Sequence, residues 1–161
     1  LLQEIKDKHR AMAHKSVIAC FSPSMDSPAM YAHYAGSHTG VCIEYEVAAG
    51  LVRPVHYNES LPAIDLLEAD LDSLATARLL TKHTDWSYEH EYRLVTYDQP
   101  AGLYCNPHIR VVSVTAGCKM KREEKRILLN LPGLPTRPKI DFWEAIPHSD
   151  KYALERRPLE A

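Results

Sequence analysis

The sequence predicts an α+β fold with a mixed, mostly antiparallel sheet and about four helices. Short runs of β-branched and aromatic residues predict strands, and several neighbouring runs lie close enough to pair as hairpins. Two stretches, 1–15 and 62–82, carry apolar residues at helical spacing and predict amphipathic helices. Because helices and strands do not alternate strictly, the order disfavours a sheet built from parallel βαβ units.

Composition restricts the class of protein. A length of 161 residues leaves room for one domain, so we expect a single domain over 1–161. A net charge of −2 gives no overall attraction to nucleic acid or to anionic membranes. The sequence contains no apolar run near the ~20 residues that span a bilayer, and no signal-peptide pattern. We therefore expect a cytoplasmic protein without a membrane partner.

The four cysteines predict free thiols, because none lies in a C-x-x-C pair and a disulfide framework is unusual at this size. Cys20 and Cys42 fall in apolar runs and are expected to be buried. The chain begins within a helical pattern, and no N-cap precedes it. We expect it to be a C-terminal fragment of a larger domain whose missing N-terminal segment is a partner.

The first half of the chain predicts a strand over 17–21, then a helix that begins at Pro28 and ends at Gly36. Asp26 or Ser27 is its expected N-cap. Residues 40–47 predict a strand with Val41, Ile43, Tyr45 and Val47 on its apolar face. Residues 52–57 are its expected hairpin partner, at a sheet edge because Pro54 lacks an N–H.

The second half predicts a helix over 62–82, with acidic residues early and Arg78, Lys82 and His83 at its end, as the helix dipole favours. Further strands are expected over 92–97 and 109–115. A helix is expected over 121–131, and the last strands over 140–146 and 152–156.

One candidate binding cluster follows the first strand. Tyr31, Tyr34 and His38 lie three and four positions apart, so they share a helical face if the helix extends to His38. Together with Ser22 and His33, they predict a site for a planar ligand through stacking and hydrogen bonds. The alternative is that the tyrosines are half-buried packing residues and His33 a core histidine.

A second cluster, 86–93, is rich in charged and aromatic residues. In an extended segment, Glu89 and Glu91 share one face, and two nearby carboxylates can serve as acid and base. Tyr88 and Arg93 are candidate ligand contacts. The alternative is that Arg93 and Glu91 form a purely structural ion pair.

A metal site is a weaker option. Six residues could converge, but no pair has the H-x-x-x-H spacing, so we expect no metal. These residues are His33, His38, Glu44, His83, His90 and Glu91.

The two clusters resemble a bacterial family known as domain of unknown function 2971, across roughly residues 17 to 131. The resemblance rests on Cys20-Phe21-Ser22, Met30 to Ala35, His38-x-Gly40 through Tyr45, Lys82, Trp86, and Tyr88-Glu89-x-Glu91-Tyr92-Arg93. The family usually carries an additional N-terminal stretch that this chain lacks. It has no settled activity.

The order of elements is also similar to that of ADP-ribosyltransferases of the DNA-targeting toxin type. This similarity implies an ADP-ribosyltransferase-like fold, NAD as substrate, Glu91 as catalytic residue, Glu89 in support, and Tyr31 or Tyr34 near the nicotinamide. One hypothesis is therefore an NAD-dependent transferase or NAD glycohydrolase, as a toxin or phage-defence effector with an unknown acceptor macromolecule.

Two hypotheses from other classes stay open. The chain could be a non-catalytic module that binds or senses a small-molecule nucleotide. It could also be a nucleic-acid enzyme, because basic residues are frequent over 119–126. Glu123 and Glu124 interrupt that run, which favours an ordinary solvated helix face.

Overall fold

The structure, a computed structural model, describes residues 16–62, 76–97, 106–130 and 140–160. In chain order its elements are β1 (Ser16–Phe21), α1 (Pro28–Tyr34), β2 (Val41–Val47), β3 (Arg53–Pro54), β4 (His56–Asn58), β5 (Thr81–His83), a 3₁₀ helix (Thr84–Glu89), β6 (Tyr92–Tyr97), β7 (Ile109–Ala116), α2 (Arg122–Leu129), β8 (Asp141–Pro147) and β9 (Leu154–Pro158). The predicted α+β class is confirmed. The predicted helix 1–15 lies outside the described residues.

The chain forms two compact units, each built from separate stretches of sequence. The first unit comprises Leu1–Pro23 and Ala49–Cys105, and the second comprises Ser24–Ala48 and Asn106–Ala161. Four of the described strand pairings are antiparallel and two are parallel, as the sequence predicts.

The first unit contains a three-stranded antiparallel sheet in the order β1-β6-β3 and a short parallel pair, β4-β5. Pro54 lies at the edge of the larger sheet, where its missing N–H costs no ladder hydrogen bond. β1 is the opposite edge, and it is more open than predicted: Ile18 and Cys20 are exposed. An edge strand has a neighbour on one side only, so the apolar run alone does not bury Cys20.

The second unit contains a four-stranded sheet in the order β2-β7-β8-β9. Its core joins Tyr31 and Ala35, from α1 and its C-cap, to Ala145 and Leu154 of the sheet. Cys42 of β2 is half-buried and packs against this core. The sequence predicts the other face of β2 as the apolar one, but the face that carries Cys42 contacts the core. Ile43 and Tyr45, expected inside, are exposed.

One prediction about strand partners is wrong. Residues 52–57 do not pair with β2; Arg53–Pro54 pairs with β6, and His56–Asn58 pairs with β5. β2 instead pairs along its length with β7. The long β-branched strand Ile109–Ala116 offers a continuous ladder of donors, whereas Pro54 interrupts one.

The predicted helix 62–82 lies mainly outside the described residues. Residues 76–79 are helical, but Thr81–His83 is a strand, so Lys82 does not lie on a helix end. Its parallel partner His56–Asn58 supplies backbone hydrogen bonds that sequence periodicity does not reveal. None of the helices in the described ranges is long and apolar enough to cross a membrane.

Candidate functional site

A lysine lies at the centre of the second predicted cluster. Lys82 Nζ donates to Glu89 Oε2 at 2.5 Å and to Glu91 Oε2 at 3.1 Å. The side chains of Glu89 and Glu91 are only 3% and 5% exposed, against 20% for Lys82. We call Lys82, Glu89, Glu91 and Arg93 the carboxylate network. It lies wholly within the first unit.

The backbone reaches this arrangement by a route that was not predicted. The segment is not extended, because Thr84–Glu89 forms a 3₁₀ helix and His90 takes a left-handed conformation with φ 46° and ψ 44°. The His90 N–H donates to Ser87 O at 3.2 Å and closes the last turn. This turn, rather than strand alternation, directs both carboxylates toward Lys82.

The backbone of Glu91 is held on both sides. Its N–H donates to the Tyr57 hydroxyl at 2.8 Å, and its carbonyl accepts from the Val55 N–H at 2.8 Å. Val55 lies between β3 and β4, and Tyr57 lies in β4. The position of Glu91 therefore depends on a segment more than thirty residues away in sequence.

Arg93 holds the side chain of Glu91. Its Nε donates to Oε1 at 2.7 Å, its Nη2 donates to Oε2 at 3.0 Å, and its Nη1 donates to the Leu79 carbonyl. This bidentate geometry is the strong form of an arginine–carboxylate pair. The structural ion pair that the spacing suggested is present.

The network sets the protonation state of its members. Burial alone would raise the pKa of Glu91, but hydrogen bonds from Arg93, Cys20 and Lys82 outweigh it and lower the pKa to about 2. Burial would lower the pKa of Lys82, whereas its hydrogen bonds to Glu89 and Glu91 raise it overall. Glu91 is therefore a carboxylate, and Lys82 an ammonium, throughout the neutral range.

The Cys20 thiol borders the network. Cys20 pairs with Arg93 in the β1–β6 ladder, which puts both side chains on one face of the sheet. Although Cys20 is exposed as a residue, partial desolvation of its thiol, and then the hydrogen bond and negative charge of Glu91, raise its pKa to about 11. At neutral pH Cys20 is a protonated thiol and not a nucleophile.

Ser22 and Tyr88, two predicted contacts, also lie in the first unit. The Ser22 hydroxyl donates to the Glu89 carbonyl at 2.8 Å and so fixes the end of the 3₁₀ helix. The Tyr88 ring lies 6.2 Å from the Trp86 ring, tilted by 35°, and both rings are exposed at the surface. Trp86 also lies under Lys82 Nζ, with 4.9 Å from the nitrogen to the ring centre.

The first predicted cluster lies mostly in the second unit. Helix α1 ends at Tyr34 and does not reach His38. His38 therefore does not share a helical face with Tyr31 and Tyr34. His38 returns by a turn: its N–H donates to the Tyr31 carbonyl at 3.2 Å, and the two rings stack with 6.1 Å between centres. Tyr31 and His38 thus meet by a different route.

The other two members of that cluster point elsewhere. Tyr34 is 61% exposed, whereas Tyr31 is 3% exposed, so the two tyrosines do not share one environment. His33 contacts Tyr34 edge-on, with 6.2 Å between ring centres. The Tyr31 hydroxyl and His38 Nδ1 are buried without a hydrogen-bond partner among the described residues. Desolvation raises the pKa of Tyr31, and the neighbouring Cys42 raises it further.

The turn that carries His38 has unusual backbone geometry. Gly36, Ser37 and His38 all have positive φ, at 53°, 55° and 74°. The turn is fastened to the end of β7, where the Gly117 N–H donates to the Gly40 carbonyl and the Lys119 N–H donates to the His38 carbonyl. A Cβ on Gly117 would lie 2.2 Å from the His38 carbonyl oxygen, so this contact requires glycine.

The metal option gains no support. In the described ranges, no group of three histidine, cysteine or acidic side chains has metal-binding geometry. Glu44, one of the candidates, instead accepts from Ser113 Oγ at 2.6 Å and from Arg156 at 2.9 Å. These two hydrogen bonds lower its pKa.

Sequence reasoning missed three members of the site. The spacing places Lys82 at a helix end and Tyr57 in a hairpin with β2, and Trp86 is not among the predicted ligand contacts. The signal for Lys82 and Trp86 is their spacing: a lysine four residues before a tryptophan, followed by two glutamates. The signal for Tyr57 is absent, because its role depends on a distant pairing.

Comparison with known proteins gives one match. Residues 30–94 match the family described as Protein of unknown function (DUF2971). This match supports the family resemblance over that stretch, which includes Lys82 and runs through Arg93. No curated protein and no solved structure matches the chain, so the comparisons lend no support to the similarity with ADP-ribosyltransferases.

Proposed function

We propose that the chain is a nucleotide-binding module. In it, the carboxylate network supports the structure of the binding surface and is not a catalytic centre. One observation carries the structural, non-catalytic role of the network in this proposal. Both oxygens of the Glu91 carboxylate are occupied, Oε1 by Arg93 and Oε2 by Arg93 and Lys82. A catalytic glutamate must present an oxygen to the reacting sugar, and this one is buried with its charge balanced by two cations.

The surface beside the network suits a planar ligand. Trp86 and Tyr88 are exposed, and aromatic faces bind nucleobases by stacking with little regard to sequence or substituent. Lys82 lies between Trp86 and the two glutamates and is fixed by all three contacts. The network therefore holds the 3₁₀ helix that carries Trp86 in place before any ligand binds. Because the helix does not have to become ordered on binding, the entropic cost of binding is lower.

The test uses intrinsic fluorescence, because Trp86 and Trp143 are the two tryptophans of the chain. Adenosine, ADP and NAD would be titrated into the full chain, with nicotinamide release followed in parallel. We expect quenching that saturates, no release of nicotinamide, and loss of quenching in Trp86→Phe. Trp143→Phe is the matched control and should keep the signal. No saturable change with any of the three ligands would remove the proposal.

A second candidate is the NAD-dependent transferase or glycohydrolase, and one observation favours it. Two buried carboxylates, Glu89 and Glu91, both contact the ammonium group of Lys82, and Glu91 is ionised. If a bound ligand drew Lys82 away, Oε2 of Glu91 would keep its hydrogen bond from Arg93 and lose the one from Lys82, and that vacated position could face a developing ribose cation. If this candidate function is right, the protein acts in the cytoplasm as a toxin or phage-defence effector, and a transferase activity also requires an acceptor macromolecule. Nicotinamide release that depends on Glu91 would favour it over the binding module.

A further inference from the structure

Two polar atoms in the second unit are buried and unpaired. The Tyr31 hydroxyl and His38 Nδ1 have no hydrogen-bond partner among the residues that the structure describes. Tyr31 is only 3% exposed, so bulk solvent does not reach its hydroxyl. A buried polar group without a hydrogen bond destabilises a fold, and nearly all such groups in proteins are paired with protein atoms or with ordered water. Two of them on neighbouring side chains therefore indicate a shared partner.

The two atoms belong to rings that contact each other. The rings of Tyr31 and His38 stack with 6.1 Å between their centres and an angle of 8° between their planes. The backbone joins the same two residues, because the His38 N–H donates to the Tyr31 carbonyl at 3.2 Å. The hydroxyl and the nitrogen thus lie on the rims of two adjacent rings.

The backbone that presents His38 is strained. Ser37 and His38 both have positive φ, which is unfavourable for residues with a Cβ. Strain of this kind persists only where surrounding contacts compensate for it. The hydrogen bonds to Gly117 and Lys119 are one such set of contacts. A hydrogen-bonded partner shared by the two rings is another, on the side of the turn that faces helix α1.

The chemistry of the two atoms defines the partner. A phenol hydroxyl both donates and accepts, whereas a neutral imidazole nitrogen does one or the other. The Cys42 thiol is a neighbour of the Tyr31 hydroxyl, but a thiol is weak as a donor and weak as an acceptor. A partner that donates and accepts well, and that is small enough for a packed core, is a water molecule.

We propose that an ordered internal water lies between Tyr31 and His38 and forms hydrogen bonds with the tyrosine hydroxyl and with Nδ1. This water joins helix α1 to the turn that carries His38. The site is independent of the proposed nucleotide-binding surface, which lies in the first unit. Because both rings hold the same water, their polar atoms should stabilise the fold jointly and not separately.

The experiment is a double-mutant cycle on the full chain, with Tyr31→Phe and His38→Phe, read as urea midpoints. Each substitution keeps a ring and removes its polar atoms. Tyr31→Phe should lower the midpoint, because the water and His38 lose a partner, and the loss should shrink in the His38→Phe background. Tyr34→Phe is the matched control on the same helix, 61% exposed, and should leave the midpoint unchanged.

A second measurement counts the internal waters directly. Oxygen-17 magnetic relaxation dispersion detects waters that stay in a protein for longer than bulk exchange allows. The unchanged chain should hold one long-lived water more than Tyr31→Phe and one more than His38→Phe. The His38→Phe comparison keeps the test available if Tyr31→Phe does not fold, which near-ultraviolet circular dichroism would reveal.

Three results would overturn the proposal. A raised midpoint in Tyr31→Phe would show that the hydroxyl has no partner, since removing an unpaired buried group stabilises a fold. A loss that disappears in a Cys42→Ala background but persists in His38→Phe would assign the hydroxyl to the thiol. Equal numbers of long-lived waters in the unchanged chain and in the folded variants would show that no water depends on these rings.

Discussion

Glu91 and Arg93 form a bidentate ion pair although they lie only two positions apart, with 2.7 Å between Nε and Oε1 and 3.0 Å between Nη2 and Oε2. The pair is possible because Glu91 lies just before β6 and Arg93 lies within it, so their side chains emerge on the same face. Glu91 also accepts a hydrogen bond from Lys82. The contribution of these contacts to the stability of the fold can be measured.

Replacing Glu91 should cost substantial stability. Glu91→Gln leaves Lys82 and Arg93 without their shared buried anion, a change that typically destabilises a protein by about 3 kcal/mol. The measurement is the urea midpoint of unfolding. Glu46→Gln is the control, since it breaks the exposed pair with Arg110 and should cost less than about 1 kcal/mol. Equal losses in the two variants would contradict a structural role for the buried network.

The stability should depend on acidity in a defined window. The pKa of Glu91 is lowered from 4.5 to about 2 in the folded state, so its contribution is complete above pH 4.5 and is lost as the pH falls toward 2. We expect a loss on the order of 3 kcal/mol across that window. Thermal unfolding followed from pH 5 to pH 2 provides the measurement. In Glu91→Gln the same profile should be flatter, and an unchanged slope would assign the acid sensitivity to other carboxylates.

Cys20 should react slowly with alkylating reagents despite its exposure. Its pKa is raised to about 11, so the reactive thiolate is a small fraction at pH 8. Iodoacetamide labelling, read at the Cys20 peptide by mass spectrometry, should be slower than for an unstructured peptide of the same sequence. Glu91→Gln removes one cause of the raised pKa and should speed labelling several-fold. Rapid labelling of the unchanged chain would show that the thiol does not contact Glu91.

Gly117 should tolerate no side chain. A Cβ at this position would lie 2.2 Å from the His38 carbonyl oxygen, and that atom belongs to backbone fixed by hydrogen bonds. Gly117→Ala should therefore cost at least about 2 kcal/mol, through displacement of the turn. Gly50→Ala is the control: φ is 79° there but nothing lies within 4 Å, so the backbone penalty alone, about 1 kcal/mol, is expected. Unfolding curves for the two variants separate these effects.

Local signals in the sequence predicted the elements that depend on local interactions. Helix α1 begins at Pro28, and the Ser27 side chain accepts from the Met30 N–H, as the capping pattern indicated. Strands β1, β2, β6 and β7 were also placed within about one residue, because apolar alternation and β-branched residues mark them.

The carboxylate network could be predicted only in part. The Glu91–Arg93 pair follows from spacing, whereas the contact with Lys82 depends on a parallel pairing between β4 and β5 and on the left-handed His90. Neither feature leaves a periodic pattern in the sequence. The parallel pairing joins distant segments, and histidine does not mark positive φ in the way glycine does. The same reason explains His38, whose approach to Tyr31 follows from a turn rather than from helical spacing.

The run of positive φ angles at Gly36, Ser37 and His38 has a consequence for the order of folding in the second unit. Non-glycine residues pay about 1–2 kcal/mol each in this conformation, and this strain opposes the local hydrogen bonds of the turn until a more distant fastening adds to them. That fastening comes from Gly117 and Lys119, nearly eighty residues later in the chain, across a loop whose closure is slow. The turn is therefore a late-forming element, and the amide of Gly117 should exchange with solvent only when the β2–β7 ladder opens.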